Sequence, residues 1–301
     1  MVFKKISQIN EFEKFKKSGF VSKPNRSKIN FGNLKSKILS EYKKLDEVDW
    51  GKIRFQSNAK CGLVNSYNGF SIVNAIGWIN QIDEIINDVI SDFEKIIDST
   101  LPNGWIITQV AIRVSNPGDK ELGLHTDSDG EYGIGIFLND WLNESATTCF
   151  LPGTQKWPFT FREITGLPRI PCNFLNFFRL LKSAKNKAGG AYFFNNRTLH
   201  GRIANNTEFS NMTILISIFD LKKAPRKFDA KITNTIPKNL SIFLEGIKGK
   251  IPKSNNSNQN KLEVDVISRK IKFVFYLIKY IFLPLKFTIN FAYYKILKKL
   301  K

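Results

Sequence analysis

Leu124-His125-Thr126-Asp127 lies between two strand-like segments and contains one of only two histidines in this 301-residue sequence. The other histidine, His200, closes the apolar run that begins at Ala191. Side chains two positions apart on an extended segment share a face, so His125 and Asp127 can act together. The sequence therefore contains an H-x-D pattern with one distant histidine that could join it.

Two imidazoles and one carboxylate are the ligand set of a facial triad. This arrangement leaves coordination positions open and is the usual protein holder of non-haem Fe(II). H-x-D alone is a common tripeptide, and a single histidine in a strand is more often packed or exposed than metal-bound. Because the second histidine also ends a strand-like run, the sequence predicts a metal site formed by His125, Asp127 and His200.

Strand-like segments with short Gly and Pro turns dominate the chain after Pro102. They are Trp105–Val114, Tyr132–Leu138, Thr147–Leu151, a strand that opens at Gly189-Gly190 and carries His200, and Thr213–Phe219. Many strands joined by such turns, after a helical beginning, indicate an antiparallel sandwich or barrel flanked by helices. The fold class predicted is mainly β.

The first 100 residues are predicted to form a helical support for this core. Apolar residues at helical spacing predict helices over residues 1–23, with a stop at Ser18-Gly19, over 33–47 and over Ile79–Ile97. Phe70–Val73 could be a short strand between them. The strand core is placed at 101–220, inside a domain of residues 1–250. A low-complexity linker follows at 251–262, and a basic amphipathic tail at 263–301.

Several phrases resemble the phytanoyl-CoA hydroxylase-like branch of the Fe(II)/2-oxoglutarate dioxygenases. In that family H-x-D is followed by a strand, a phrase like "LPGTHK", and a glycine-led strand that ends in the distal histidine and an "N-T" turn. The similar stretches here are Phe150-Leu151-Pro152-Gly153-Thr154-Gln155-Lys156, Gly189-Gly190-Ala191-Tyr192-Phe193-Phe194, Leu199-His200-Gly201 and Asn206-Thr207. The opening Phe12–Val21 is also similar to the family's first helix, so the resemblance covers about residues 8–220.

The resemblance implies a double-stranded β-helix, the cupin-like jelly roll, for the β core. It implies Fe(II), held by the predicted triad, with 2-oxoglutarate as cosubstrate and O2 as oxidant. It also implies hydroxylation rather than halogenation, because halogenating members replace the carboxylate ligand by a small residue and Asp127 is present. The substrate expected is a small or lipid-linked metabolite.

The sequence departs from the family pattern after the distal histidine. Members carry an arginine about 9 to 13 residues later, which pairs with the far carboxylate of 2-oxoglutarate, as a bidentate cation is suited to do. That window here contains no basic residue. Arg202, which shares the strand face of His200, is the preferred substitute. Arg113 is the second candidate, and Thr213 could add a hydrogen bond. If none of them binds 2-oxoglutarate, the protein is a non-catalytic jelly-roll binding protein, or a cupin-type metal enzyme that needs no keto acid.

Composition limits the compartment and the partners. Lys and Arg exceed Asp and Glu by 46 to 26, a net charge of +20 that favours polyanionic partners or reflects a coding bias. No nucleic-acid motif is present, so nucleic acid is not expected. The three cysteines are scattered and the N-terminus lacks an apolar signal core, which predicts a cytoplasmic protein.

The tail at 263–301 is apolar and contains many lysines, so it could span a membrane or lie on its surface. Its lysines and Pro284 disfavour a span, whereas a basic helix lying on an anionic membrane surface fits the pattern. The expectation is a protein that is cytoplasmic or peripheral on the inner membrane face. The alternative is a tail that packs on the body or on a partner.

Overall fold

In the computed structural model, residues 11–49, 61–66, 68–127, 129–140, 146–157, 170–177 and 179–220 are described here. All of them belong to one of the two compact units into which the chain divides. The predicted linker at 251–262 and tail at 263–301 lie outside the described residues. Within the described ranges, no helix is long and apolar enough to cross a membrane.

The described residues form eleven strands, which make two antiparallel sheets. The strands are β1 (Phe20–Lys23), β2 (Gly62–Ser66), β3 (Gly69–Val73), β4 (Trp105–Ser115), β5 (Leu122–His125), β6 (Glu131–Phe137), β7 (Thr148–Phe150), β8 (Lys182–Ser183), β9 (Ala191–Asn195), β10 (His200–Arg202) and β11 (Asn211–Asp220). The larger sheet has the order β1-β9-β6-β11-β4-β3-β2, and the smaller has the order β5-β10-β7-β8. The mainly β, jelly-roll fold class predicted from the sequence is confirmed.

The two faces of the larger sheet carry different residues. Alternate positions face opposite sides of a strand, and one set, including Ile112 and Ile214, is completely buried against the long helix Asn80–Thr100. That helix follows the predicted Ile79–Ile97 closely because its apolar residues repeat at three and four positions. The opposite set includes Arg113 and Thr213, which pair across β4 and β11. We call the face that packs on the helix the outer face and the opposite one the inner face. The inner face therefore carries polar groups, whereas the outer face is apolar.

Two glycines bring aromatic rings close to the inner face. Gly133 and Gly135 of β6 lie opposite Phe194 and Tyr192 of β9. A Cβ at Gly135 would lie 2.0 Å from Tyr192 Cζ, and one at Gly133 would lie 2.2 Å from Phe194 Cε1. The rings therefore lie across the neighbouring strand because no side chain occupies it. Packing of this density leaves no room for an added methyl group.

The predicted helical region contains three strands. Described residues 11–18 are helical, but Gly19 has a φ of +82° and the chain then enters β1. The helix ends at the stop predicted from Ser18-Gly19, where the glycine is left-handed, but residues 20–23 form β1 and not part of a helix. β2 was not predicted, and β3 confirms a short strand at Phe70–Val73. The predicted helix at 33–47 is Phe31–Glu41, followed by a single 3-10 turn.

The predicted strand from Gly189 to His200 is wrong as one element. β9 ends at Asn195, a turn over residues 196–199 follows, and His200 begins β10 in the other sheet. In this turn the N–H of Thr198 donates to the carbonyl of Asn195 at 2.8 Å. A chain that changes sheets at this point brings the distal histidine next to β5, where His125 is the last residue.

Candidate metal centre

The three predicted ligands converge at one end of the smaller sheet. His200 pairs directly with His125 across β10 and β5, and their ring centroids are 4.5 Å apart. Asp127 follows β5 by two residues, with its Oδ2 at 3.3 Å from His200 Nε2 and its Oδ1 at 3.8 Å from His125 Nε2. One ligand atom from each residue lies within 4.8 Å of the others. Among the described residues this is the cluster of His, Cys, Asp or Glu side chains that could hold a metal ion.

Backbone carbonyls fix the orientation of both imidazoles. His125 Nδ1 lies 3.0 Å from the carbonyl of Gly123, and His200 Nδ1 lies 2.8 Å from the carbonyl of Thr198. A carbonyl can only accept, so each Nδ1 donates and each Nε2 carries the lone pair. Both Nε2 atoms face the Asp127 carboxylate. This outer hydrogen bonding is the usual support of metal-ligating histidines.

The charge balance around His200 depends on Asp127. Burial lowers the pKa of His200, but the hydrogen bond and the negative charge of Asp127 outweigh it and raise that pKa above its ordinary value. A metal ion binds the neutral imidazole, so metal binding and protonation of His200 compete. Two imidazole nitrogens and one carboxylate oxygen on one side of a cavity fit Fe(II) in both donor type and number.

The segment Pro152-Gly153-Thr154 is hydrogen-bonded to the residue before the distal histidine. Leu199 N–H donates to Thr154 Oγ1 at 2.8 Å, and Thr154 Oγ1 donates to the carbonyl of Leu151 at 2.8 Å. The N–H of Gly153 donates to the carbonyl of Ser18, at the end of the first helix. Phe194 packs edge-on to the His200 ring at 4.9 Å. The phrase that carried the family resemblance therefore fixes the residue immediately before His200.

Arg113 and Arg202, the two candidate cosubstrate residues, converge on a carboxylate that the sequence analysis missed. Arg113 Nη2 lies 2.6 Å and Arg202 Nη1 lies 2.8 Å from Asp119 Oδ2. Ser115 also donates to Asp119 and accepts from Arg202, while Ser66 accepts from Arg113. Asp119 is completely buried, so both guanidinium groups are held by one shielded negative charge.

A cavity of about 380 Å³ connects the candidate ligands with this arginine cluster. It is lined by His125, Asp127 and His200, by Arg113 and Arg202, by Ser217, and by apolar residues that include Phe194 and Leu215. Thr213 is not among the residues that line this cavity. It pairs with Arg113 across the sheet, one strand away. The structure thus brings five of the six predicted site residues to one cavity and leaves Thr213 beside it.

Two site residues escaped the sequence analysis. Asp119 follows the turn Pro117-Gly118 and looks like an ordinary turn residue, and Asn196 is the second of two adjacent asparagines at the end of β9. Asp119 lies between Arg113 and Arg202 only when β4 and β10 are assembled, so no local pattern in the sequence marks it. Asn196 donates from Nδ2 to Asp127 Oδ2 at 3.3 Å and also lines the cavity.

Known structures share this fold at low sequence identity. SnoK, a non-haem α-ketoglutarate-dependent carbocyclase from nogalamycin biosynthesis, matches with a TM-score of 0.52 and 14% identity over 74% of this chain and 87% of SnoK. EctD from S. alaskensis with 2-oxoglutarate and 5-hydroxyectoine has a TM-score of 0.52 at 15% identity, over 74% of this chain and 79% of EctD. SnoN, an α-ketoglutarate-dependent epimerase from the same biosynthesis, has a TM-score of 0.51 at 12% identity, over 83% of this chain and 96% of SnoN.

No protein-family model and no curated protein matches the sequence. At these identities the structural similarity shows the fold: the chain has the jelly roll of the non-haem 2-oxoglutarate-dependent enzymes. The resemblance is confirmed for the fold. The phytanoyl-CoA hydroxylase-like branch stays a prediction.

Asp119→Asn should show how strongly the arginine cluster depends on one charge. Burial alone would raise the pKa of Asp119, but the Ser115 hydrogen bond and the charges of Arg202 and Arg113 lower it below its ordinary 3.8. A lowered folded pKa adds stability that is present above the ordinary pKa and is lost as pH falls through the folded pKa. We expect the variant to be about 3 kcal/mol less stable at neutral pH, because two buried cations lose their partner.

Urea unfolding of both proteins from about pH 7 down to about pH 3 measures this difference. The gap between wild type and variant should narrow below about pH 4. Asp129→Asn is the control, since Asp129 is half-exposed and lies 3.7 Å from Arg197. A gap that does not change with pH would contradict the assignment.

Proposed function

We propose that this protein is an Fe(II)/2-oxoglutarate-dependent oxygenase that hydroxylates a small or lipid-linked metabolite. The observation that carries the proposal is one cavity that contains an His/Asp/His ligand set and two guanidinium groups. The fold shared with SnoK and EctD supports it. Fe(II) together with 2-oxoglutarate would supply the activation of O2 for hydroxylation. The residues of the chain bind and orient these groups.

The cavity charges suit a cosubstrate with two carboxylates. Asp119 neutralises one of the two arginines, so the cluster retains one net positive charge for the far carboxylate. The keto-acid end of 2-oxoglutarate would then bind the metal that His125, Asp127 and His200 would hold. A guanidinium binds a carboxylate in a bidentate manner and is the natural partner inside a shielded cavity.

Arg113 is better placed than Arg202 to bind the far carboxylate of 2-oxoglutarate, because it makes fewer hydrogen bonds within the protein. Among the described contacts, Arg202 donates to Ser115, Asp119 and the carbonyl of Lys120, whereas Arg113 donates to Ser66 and Asp119. Arg113 therefore has more N–H groups left for a ligand. This reverses the preference that strand parity gave to Arg202.

The register explains how Arg113 could replace the missing family arginine. Thr213, which lies within the window where the family carries its arginine, pairs with Arg113 on the neighbouring strand β4. A guanidinium one strand away on the same face of the sheet can reach the same part of the cavity. Arg202 then acts with Asp119 to hold Arg113 in place.

Apolar residues that line the cavity would exclude water from it. Phe194 and Leu215 line it, and Phe194 packs against the ring of His200. An apolar wall excludes water from the reacting atoms and strengthens the charge interactions inside. The bound 5-hydroxyectoine in the EctD structure supports a small molecule as substrate.

A membrane-surface location is the part of the proposal that rests on sequence alone. The tail at 263–301 combines apolar residues with regularly spaced lysines. Such a segment gains from both apolar burial and anionic lipid. A lipid-linked substrate would then be presented at the cytoplasmic membrane face, where this tail would hold the oxygenase domain.

The competing function is a jelly-roll binding protein without catalysis. It is favoured by the contacts of Asp119, which already accepts hydrogen bonds from both Arg113 and Arg202. In that case the arginine cluster is a structural ion pair and the cavity takes no keto acid.

Anaerobic titration of the metal-free protein with Fe(II) and then 2-oxoglutarate tests the proposed function. We expect a visible charge-transfer absorption when the keto acid chelates the metal, and succinate release on admission of air. His125→Ala and Asp127→Ala should abolish both signals because each removes a ligand, whereas Asp129→Ala should retain them. Metal binding without any 2-oxoglutarate signal would favour the non-catalytic binding protein.

Moving the arginine between strands tests the cosubstrate anchor. Arg113→Ala should weaken 2-oxoglutarate binding about tenfold to a hundredfold, since a charge-assisted hydrogen bond contributes about 1.5–3 kcal/mol, while Fe(II) affinity stays unchanged. Thr213→Arg added to Arg113→Ala should restore part of the binding, because the new side chain starts from the paired position. Calorimetric titration measures both affinities. Equal 2-oxoglutarate affinity in Arg113→Ala and wild type would exclude Arg113 as the anchor.

Vesicle sedimentation tests the tail. The full chain should bind vesicles that contain phosphatidylserine and should be released by high salt, because the attraction is electrostatic and screened. Replacing Lys272, Lys279 and Lys286 by Gln should weaken binding by about 1 kcal/mol per lysine. Binding that ignores both lipid charge and salt would contradict a surface role.

A further inference from the structure

Asn196 is a buried polar residue at the wall of the candidate metal centre. It has 2% of its surface exposed and lies in the turn where the chain leaves β9 for β10. It also lines the cavity that contains His125, Asp127 and His200. A polar side chain in such a place needs a reason, because burying it costs free energy unless it is hydrogen-bonded.

Three hydrogen bonds join Asn196 to the segment that carries the carboxylate ligand. The N–H of Asp127 donates to the carbonyl of Asn196 at 2.9 Å, and Asn196 N–H donates to the carbonyl of Glu131 at 3.1 Å. The side-chain Nδ2 donates to Asp127 Oδ2 at 3.3 Å. The turn before His200 and the segment after His125 are therefore tied together through this one residue.

The other end of the Asn196 amide has no such explanation. Its Oδ1 is buried and has no hydrogen-bond partner among the described residues. A buried acceptor without a partner destabilises the fold. The amide is therefore poorly explained by stability, and the useful end is the one that donates to Asp127.

We infer that Asn196 is a positioning residue for the metal ligand Asp127, an inference that rests on the proposed metal site. Its Nδ2 donates to Oδ2 and orients the carboxylate, so that Oδ1 would be the oxygen left to bind a metal ion. A carboxylate that binds through one oxygen occupies one coordination position. The remaining positions are then open for the cosubstrate and for O2, as a facial triad requires.

The neighbouring Asn195 supplies a matched control. Its Oδ1 accepts from the N–H of Arg197 at 2.9 Å, a bond that shapes the turn without involving Asp127. The two asparagines are adjacent and have the same side chain, but only Asn196 contacts the ligand. A general effect of altering this turn should therefore affect both positions.

Metal titration of four full-length proteins tests the inference: wild type, Asn196→Ala, Asn196→Leu and Asn195→Ala. Co(II) is the probe, because its ligand-field absorption reports affinity and coordination without turnover. Both Asn196 variants should bind Co(II) about tenfold to a hundredfold more weakly, the usual loss when an outer partner of a ligand is removed. Their band shape should change as the carboxylate rotates to bind through both oxygens. Asn195→Ala should keep the wild-type band shape and an affinity within about twofold of wild type.

Stability of the metal-free proteins separates positioning from folding. Asn196→Leu keeps the branched four-atom shape of the side chain and removes the unpartnered acceptor, so its melting temperature should stay close to that of wild type while its metal affinity falls. Wild-type affinity and band shape in both Asn196 variants would overturn the positioning role and leave the metal site standing. Wild-type protein that binds no Co(II) would overturn the metal site itself, and the inference with it.

Discussion

The backbone pairing of His200 with His125 is the contact on which the candidate site depends. It joins β10 to β5 and places the two imidazoles with ring centroids 4.5 Å apart, although the residues are far apart in sequence. This pairing requires the chain to leave the larger sheet at Asn195 and enter the smaller one at His200. The turn between them, held by Thr154 and Asn196, therefore sets the position of the distal imidazole relative to the Asp127 carboxylate.

A second constraint is the buried charge of Asp119. Removing a carboxylate from water is unfavourable unless nearby groups compensate for it, and Arg113, Arg202 and Ser115 do so here. The same ion pairs bring two guanidinium groups to the wall of the cavity. Stability and function are coupled at this point, because the interactions that allow Asp119 to be buried also orient the groups proposed to bind the cosubstrate.

The larger sheet separates these roles by its two faces. Its outer face is apolar and packs with the helix Asn80–Thr100 in one hydrophobic core. Its inner face carries Arg113 and the aromatic rings of Tyr192 and Phe194, which lie over Gly135 and Gly133. The outer face is densely packed and apolar. The polar groups of the inner face can be buried because they are hydrogen-bonded or ion-paired.

The sequence by itself determined the β-rich core, the long amphipathic helix and the three candidate ligands. Each is encoded locally: alternation defines strands, spacing of three and four defines helices, and the only two histidines limit the choice of ligands. Local patterns could not show that the run from Gly189 to His200 divides between two sheets, because both halves are apolar and extended. They also could not show that Asp119 pairs with both arginines or that Asn196 contacts Asp127. Those contacts join residues distant in sequence, and only the strand order and register of the tertiary structure decide them.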